Sequence, residues 1–338
     1  MNISELGEFG LIDRLAKKIR ARNASTVKGV GDDAAVVAPC GKCSLLTTDM
    51  LLEGIHFDLT YVPMKHLGYK AATVGFSDIY AMNGFPKQMV ASLGVSNRFS
   101  VEHIEELYEG MLLACERHGV DMVGGDTSAS LTGLTVGVSA LGECEPDRVV
   151  YRSGAKPTDL ICITGSLGSA YMGLLLLERE KKVLEANPRA TPQLAGYEHI
   201  IEQYLKPEAN RDLILNLREA DVTPTAMIDI SDGLASDMLQ ICRQSGVGAH
   251  LYLDKIPIAK QCMDMAEEMN FDAVTAALNG GEDYELLFTI PLSLYEKVKD
   301  LGRVAVIGHV VEADKGALLI PPNGEPVRLQ AQGFRGIA

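Results

Sequence analysis

Short strand-like runs alternate with longer segments of helical periodicity along most of this chain, and that alternation constrains the fold more than any other feature. Residues 65–82 and 100–119 repeat apolar side chains at helical spacing, whereas 134–141 has the composition of a strand. A polar break that contains a proline, Glu143 to Arg148, separates two halves of this kind. The pattern predicts an α/β (α+β) protein of two domains. We expect these domains to span residues 1–147 and 148–338.

Further elements follow from the same periodicities. An amphipathic helix is predicted over residues 5–20. Ala34–Ala38 and Ser44–Thr48 are predicted to pair as a β-hairpin around a Pro-Cys-Gly-Lys turn. Ser100 is suited to cap the helix at 100–119, and Gly119 to end it. The other predicted elements are strands at 160–163, 285–290, 304–307 and near His250, a helix over 171–180, and a strand-turn-helix unit over 228–243.

The net charge argues against two classes of partner. The chain has 338 residues, with 31 Lys and Arg against 45 Asp and Glu, which gives a formal charge of −14. Nucleic acid and anionic membranes are bound by clustered cations, so we expect neither as a partner. The N-terminus is acidic and every long apolar run is interrupted, so a cytoplasmic protein without a signal peptide or membrane span is expected. A phosphorylated small molecule is still compatible with this charge if local positive charge accompanies it.

Aspartates recur beside glycine or small residues at the ends of predicted elements. Asp78 is the most informative of them, because it shares one face of the helix at 65–82 with Leu67, Ala71 and Val74. A carboxylate on an apolar face needs a cation, a metal or hydrogen-bond donors as its partner. The other motifs are Gly31-Asp32-Asp33, Thr47-Thr48-Asp49, Gly124-Gly125-Asp126-Thr127, Asp229-Ile230-Ser231-Asp232-Gly233 and Gly280-Gly281-Glu282-Asp283.

Carboxylates that converge on one pocket would require divalent cations. Two carboxylates about 4 Å apart repel each other by roughly 4 kcal/mol at an effective dielectric constant of about 20. Oxygen ligands without His or Cys favour Mg²⁺, which commonly shares phosphate oxygens with its protein ligands. The sequence therefore predicts that metal ions allow an acidic protein to hold an anionic nucleotide.

Other kinds of site lack their motifs. The chain contains neither a P-loop nor the set of protein-kinase motifs. Residues 29–34 resemble a dinucleotide-binding fingerprint only loosely, because Asp32 and Asp33 would face the pyrophosphate. Cys40 and Cys43 form a single CxxC pair without a second pair at zinc-site spacing, so two thiols at a turn are favoured over structural zinc.

Nine short motifs follow one another in a fixed order from about residue 7 to Phe334. They are Gly7-Glu8-Phe9, Gly29-Val30-Gly31-Asp32-Asp33-Ala34, Thr47-Thr48-Asp49, Gly54-Ile55-His56-Phe57, Ser77-Asp78-Ile79, Gly124-Gly125-Asp126-Thr127, Arg152-Ser153-Gly154-Ala155-Lys156-Pro157, Ile230-Ser231-Asp232-Gly233-Leu234 and Gly280-Gly281-Glu282-Asp283-Tyr284-Glu285-Leu286. The ordered set resembles the bacterial thiamine-monophosphate kinases, which belong to the superfamily of aminoimidazole ribonucleotide synthetase and selenophosphate synthase.

The resemblance implies both an activity and an architecture. The activity is ATP-dependent phosphorylation of thiamine monophosphate to thiamine diphosphate by direct in-line transfer, a step of thiamine diphosphate biosynthesis. The architecture is the aminoimidazole ribonucleotide synthetase-like fold, in which the N-terminal domain binds ATP and Mg²⁺ and pairs with its copy in a homodimer. The C-terminal α/β domain would complete the active-site cleft.

The resemblance also implies roles for individual residues. The Mg²⁺ ligands would be Asp33, Thr47, Thr48, Asp49, Asp78, Asp126, Asp229 and Asp232, of which Asp49, Asp126 and Asp232 are the expected catalytic residues. ATP would contact Gly124, Gly125, Arg152 and Ser231, with Tyr108 on the adenine side. Thiamine monophosphate would contact His56, Glu282 and Phe334. Such a reaction asks the protein to position two anions and neutralise their charge, and it needs no strong general base because the acceptor oxygen is already ionised.

Several alternatives are distinguishable. Selenophosphate synthase would need a reactive cysteine shortly before the Gly-Asp-Asp motif, and Asn23–Lys28 contains none. The hydrogenase-maturation relative would end in a cysteine tail, whereas this sequence ends in Gly333–Ala338. The cyclo-ligase relative lacks the combination of His56 with the GGEDYEL motif. From another class, a non-catalytic metal-binding or scaffold protein would bind Mg²⁺ or Ca²⁺ without ATP and produce no ADP.

Overall fold

The computed structural model describes residues 17–28, 36–37 and 41–331. The chain separates into two units, Met1–Val149 and Val150–Ala338. Within the described part of the chain, no helix combines the length and the apolar character needed to cross a bilayer.

The described residues of the first unit form a four-stranded sheet, a pair of long helices and two short strands. The bounds are β1 (Thr26–Lys28), β2 (Val36–Val37), β3 (Cys43–Leu52), α1 (Met64–Ala81), β4 (Phe85–Val95), α2 (Val101–His118), β5 (Asp121–Ala129) and β6 (Leu134–Cys144). The sheet order is β3-β6-β4-β5, and only the β4–β5 pair is parallel. The helices predicted at 65–82 and 100–119 are confirmed. Ser100 and His103 form a capping box at the start of α2, and Gly119 ends it with a φ of 71°.

The two faces of this sheet differ in burial. Side chains alternate along β3, so that Leu45 and Leu51 are buried on the face that packs against α1. That packing is close, because a Cβ added at Gly75 of α1 would lie 3.7 Å from Val138 of β6. We call the opposite, exposed side the outer face; on β3 it carries Leu46, Thr48, Met50 and Leu52.

One predicted pairing is wrong within the described residues. In place of the hairpin between Ala34–Ala38 and Ser44–Thr48, β2 pairs with β1. β3 instead forms a long antiparallel ladder with β6, which lies about ninety residues further along the chain. The short spacing favoured a local turn, whereas the observed pairing is long-range and leaves no local signal. The helix predicted over 5–20 lies largely outside the described residues, and residues 17–20 are not helical.

Strand β5 contains a β-bulge that the sequence did not predict. Met122 pairs with Met89, and the next paired residue is Gly124, opposite Val90, so Val123 is the extra residue. A bulge of this kind shifts the alternation of the side chains that follow. Asp126 consequently stands beside Ser92 rather than one position further along β4.

In its described residues, the second unit is a seven-stranded sheet with flanking helices. The bounds are β7 (Leu160–Thr164), α3 (Ser169–Ala186), α4 (Glu198–Leu205), α5 (Arg211–Glu219), β8 (Ala226–Asp229), α6 (Leu234–Ser245), β9 (Gly248–Tyr252), α7 (Lys260–Glu268), α8 (Ala273–Asn279), β10 (Leu286–Ile290), α9 (Tyr295–Val298), β11 (Val304–Val311), β12 (Ala317–Ile320) and β13 (Val327–Arg328). The predicted strands at 160–163, 285–290, 304–307 and near His250, the helix at 171–180 and the strand-turn-helix at 228–243 are confirmed.

The topology of this sheet brings three loop segments, two of which carry motifs, to one edge. The order is β13-β12-β9-β11-β7-β10-β8. β10 is antiparallel to both β7 and β8, so the carboxyl ends of β7 and β8 lie together at the edge where β10 begins. Helix α6 packs on the sheet through Leu234, Met238 and Ile241, all buried in one core cluster. The turns after β7 and β8 and the segment before β10 therefore meet.

Candidate active site

Three predicted metal ligands of the first unit lie on the side of the sheet that α1 covers. Thr47 and Asp49 are two residues apart on β3, so both point to this side. The Thr47 hydroxyl donates a short hydrogen bond to the Asp78 carboxylate on α1. A Cβ at Gly75, one turn before Asp78, would lie 3.5 Å from Asp49 Oδ2. The expectation that Asp78 has a polar partner is confirmed, and the three side chains form one oxygen-rich patch.

Thr48 and Asp126 lie on the outer face instead. The Thr48 hydroxyl donates to Val138 O at 3.2 Å and accepts from the Ser139 hydroxyl at 3.0 Å. Gly124 and Gly125 precede Asp126 on β5, opposite Val90 and Ala91. Within one chain, the sheet therefore separates these two side chains from Thr47, Asp49 and Asp78. The metal-ligand roles of all five stay predictions.

His56 is held by the turn that follows β3. The backbone N–H of Leu52 donates to the ring atom His56 Nδ1 at 3.0 Å, while the backbone N–H of His56 donates to Leu52 O at 2.9 Å. An Nδ1 that accepts a hydrogen bond leaves the proton of a neutral imidazole on Nε2. The half-buried ring thus carries an N–H donor on its far side, which suits an anionic oxygen.

Tyr108 lies inside the first unit rather than at its surface. It is on α2 with 6% of its surface exposed. Burial raises the pKa of its phenol to about 12, so the side chain stays neutral. Its predicted contact with adenine stays a prediction.

The second unit brings four of the predicted residues together. Asp229 ends β8 and is buried, and the next turn exposes Ser231 and Asp232. The N–H of Glu282 donates to Ser231 O at 2.9 Å, so the two motif loops are directly bonded. The N–H of Tyr284 extends this pairing to Ile230 O at 2.9 Å. Glu282 itself is half-buried.

Two glycines allow the loops to approach this closely. Gly281 has a φ of 72°, and an added Cβ would lie 2.4 Å from Ser231 O. Gly233 has a φ of 108°, and an added Cβ would lie 2.7 Å from Leu278 O, just before the GGED motif. Both the backbone conformation and the available space require glycine at these two positions.

Asp237 also belongs to this acidic group, although none of the sequence motifs contains it. It is 2% exposed in the first turns of α6, and its Oδ2 accepts the Asp232 N–H at 3.2 Å. Burial, followed by the nearby charges of Asp232 and Asp229, raises the pKa of Asp237 to about 8. The sequence contains a signal for its burial, because Asp237 shares one helical face with Leu234, Met238 and Ile241. The same pattern singled out Asp78.

Arg152 is fixed at some distance from Ser231. The Ser245 hydroxyl, at the last residue of α6, donates to Arg152 O at 3.3 Å and accepts the Gly154 N–H at 3.1 Å. Ser231 precedes the other end of this twelve-residue helix. At 1.5 Å per residue the helix is about 18 Å long, so the backbones of the two predicted ATP contacts lie well apart. The Arg152 side chain is exposed.

Asp33 and Phe334 lie outside the described residues, as do Asp32 and Cys40. Among residues 17–28, 36–37 and 41–331, no three His, Cys, Asp or Glu side chains are grouped closely enough to hold one metal ion. Mg²⁺ is nevertheless commonly held by only one or two carboxylates together with substrate phosphates and water. The oxygen donors at Asp49 and Asp78, and at Asp229 and Asp232, fit that mode of binding.

Comparison with known proteins covers both units. Residues 31–144 match the family model described as AIR synthase related protein, N-terminal domain, and residues 156–320 match AIR synthase related protein, C-terminal domain. The thiamine-monophosphate kinase of Aquifex aeolicus (strain VF5) is 35% identical over 314 residues, which are 93% of this chain and 94% of that protein.

Solved structures agree with these matches. The structure of AaThiL complexed with AMPPCP and TMP is 34% identical with a TM-score of 0.73, over 96% of this chain and 98% of that chain. The thiamine-monophosphate kinase from Stenotrophomonas maltophilia K279a is 29% identical with a TM-score of 0.79, over 95% and 98% of the two chains. The expected aminoimidazole ribonucleotide synthetase-like fold is confirmed. Both domain models match, and a thiamine-monophosphate kinase is 35% identical over 93% of the chain, so this chain belongs to the thiamine-monophosphate kinase family.

Proposed function

We propose that this protein transfers the γ-phosphoryl group of ATP directly to thiamine monophosphate, with Mg²⁺, to give thiamine diphosphate and ADP. A terminal phosphate oxygen of thiamine monophosphate attacks the γ-phosphorus as the bond to the ADP oxygen breaks. The observation that carries the proposal is the 34% identity, over 96% of the chain, to a protein solved in complex with AMPPCP and TMP. AMPPCP is an ATP analogue, and we interpret TMP as the phosphoryl acceptor.

The chain's own residues are suited to this reaction. Bound Mg²⁺ would screen the negative charges of the two substrates and stabilise charge on the transferred group. In the first unit, Asp49 and Asp78 offer oxygen ligands, and Asp126 offers a third on the outer face. In the second unit, Asp229 and Asp232 do the same beside Ser231 and Glu282. We assign Asp49, Asp126 and Asp232 the catalytic share of this work.

His56 is proposed to bind the phosphate of thiamine monophosphate. Its Nδ1 already accepts the Leu52 N–H, so its Nε2–H is oriented away from that turn. An imidazole fixed in this way donates a hydrogen bond without a change of charge. Glu282 would contact the same substrate from the second unit, and Phe334 would stack on it.

We further propose that the protein is a homodimer formed through the outer face of the first unit. Leu46 is 78% exposed, Met50 60% and Leu52 37%, and the three alternate along β3. An apolar row on an open sheet is a common feature of protein interfaces. Pairing of two such faces would also bring together Thr48 and Asp126 of two chains, which the sheet separates from the other ligands within one chain.

The activity is tested by incubating the protein with ATP, Mg²⁺ and thiamine monophosphate and following thiamine diphosphate by mass spectrometry. We expect stoichiometric ADP and thiamine diphosphate, and no product with AMPPCP in place of ATP. Thiamine without its phosphate serves as the control acceptor and should not react. With an ATP analogue that carries a chiral γ-thiophosphate, the configuration at the transferred phosphorus should invert, as in-line transfer requires. Absence of thiamine diphosphate from the folded protein would overturn the proposal.

A non-catalytic metal-binding protein is the second candidate, favoured only by the acidic motifs themselves. Calorimetry distinguishes the two, because a kinase of this design binds ATP tightly only when Mg²⁺ is present. Equal ATP affinity in Mg²⁺ and in EDTA would argue against the kinase. Binding of Mg²⁺ or Ca²⁺ without any ADP production would favour the alternative.

A further inference from the structure

The turn between β7 and α3 holds two buried carboxylates of the GGEDYE motif. Asp283 is 2% exposed, and it accepts the Gly168 N–H at 2.8 Å and the Ala170 N–H at 3.3 Å. The free N–H groups at the start of α3 are therefore satisfied by an internal carboxyl group. Because it is buried and bonded in this way, the Asp283 carboxylate is not available to a substrate.

Glu285 is bonded to the start of the same turn. It is 6% exposed and accepts the Thr164 hydroxyl at 2.5 Å and the Asn210 side-chain amide at 3.0 Å. The Thr164 hydroxyl in turn accepts the Leu286 N–H at 2.8 Å. The two carboxylates thus bond the motif to the turn after β7 at positions on either side of Tyr284.

The backbone between and beside these anchors is strained. Glu282 has a φ of 58° and Tyr284 a φ of 50°, although neither is glycine. The left-handed conformation is unfavourable for such residues and persists only where the surrounding structure enforces it. The Asp283 and Glu285 contacts supply that enforcement, because each follows one of the strained residues directly.

We propose that Asp283 and Glu285 are positioning residues that hold Glu282 against the Ser231 loop in the conformation that binds thiamine monophosphate. The inference rests on the proposed function and adds to it the reason why Glu282 is in place. Loss of either anchor would let residues 282 and 284 relax to negative φ, which would break the bond from the Glu282 N–H to Ser231 O. The substrate that Glu282 contacts should then bind more weakly, whereas ATP should be affected much less.

The first test measures how each substrate responds to Asp283→Ala. We expect KM for thiamine monophosphate to rise about tenfold, while KM for ATP changes less than twofold. Asp314→Asn, at an exposed aspartate far along the sequence, is the control and should leave both values unchanged. An equal rise in both KM values, or no rise in either, would overturn the proposal.

The second test asks whether Asp283 acts through Glu282. If it does, the double variant Asp283→Ala/Glu282→Gln should raise KM for thiamine monophosphate no more than Glu282→Gln alone. Additive effects would contradict a positioning role. If Asp283→Ala does not fold, Asp283→Asn and Thr164→Val remove less and should give smaller changes of the same kind.

Hydrogen exchange separates this inference from the proposed function. In Asp283→Ala, amide exchange over residues 281–286 should accelerate about tenfold, and exchange over β9 and β11 should not. This measurement needs no substrate, so it tests the anchor even if the wild-type protein forms no thiamine diphosphate. Unchanged exchange at 281–286 would overturn the inference whatever the activity.

Discussion

Replacing Gly281 with alanine tests whether the two motif loops of the second unit must touch. The substitution has two costs, since Gly281 has a φ of 72° and an added Cβ would lie 2.4 Å from Ser231 O. The left-handed conformation alone costs an alanine about 1–2 kcal/mol. The clash with a backbone carbonyl adds overpacking of about 1–3 kcal/mol. We therefore expect Gly281→Ala to lower the free energy of unfolding by about 2–5 kcal/mol.

Gly246 offers a matched control for this substitution. It ends α6 with a φ of 67°, and an added Cβ would meet no atom within 4 Å. Gly246→Ala therefore carries the conformational cost of about 1–2 kcal/mol without the clash. Urea unfolding followed by circular dichroism gives both values, and steady-state kinetics gives KM for each substrate. Equal destabilisation of the two variants, with KM for thiamine monophosphate unchanged in Gly281→Ala, would refute the argument.

Three further predictions concern other parts of the molecule. Asp126→Asn should lower turnover about 10²-fold or more, because a charge proposed to hold Mg²⁺ is lost; kcat within a few-fold of the wild type would contradict this role. Leu46→Lys should convert the proposed dimer to a 36.4 kDa monomer by light scattering, and a persistent dimer would place the interface elsewhere. Burial raises the pKa of Asp283 from 3.8 to about 7, with Glu285 and Glu282 adding to it. The contribution of protonated Asp283 to the free energy of unfolding should be complete below pH 4 and be lost as the pH rises through 7. Urea unfolding should therefore show that the free energy of unfolding falls more steeply over this pH range in the wild type than in Asp283→Asn.

The elements with strong local patterns could be predicted from the sequence. Helix α1 was visible because of its apolar spacing, and α2 because Ser100 and Gly119 mark its ends. The pairing of β3 could not be predicted, because its partner β6 is contributed by a distant part of the chain. Strands β4 and β5 were missed, since the Gly-Gly-Asp motif in β5 is more typical of a turn than of a strand.

In the candidate site, too, local motifs could be predicted from the sequence, whereas features that depend on strand register could not. The motifs identified Ser231, Asp232 and Glu282, and backbone hydrogen bonds between the two loops bring these residues together. No motif indicated that Thr48 and Asp126 share the outer face, because that depends on strand register. Asp283 was visible within its motif, but only its bonds to Gly168 and Ala170 distinguish an internal anchor from a substrate ligand.

The β-bulge at Val123 determines whether the Asp126 side chain is exposed or buried. Met122 pairs with Met89, so in a uniform ladder the aspartate four residues later would stand beside Leu93, which is 3% exposed. There an ionised carboxylate would be in the hydrophobic interior. The one extra residue reverses the alternation of side chains along β5 and places Asp126 on the outer face of the sheet. The face on which Asp126 lies thus depends on the number of residues between Met122 and Asp126. Inserting one more residue there would move the side chain to the other face, whereas a point substitution would not.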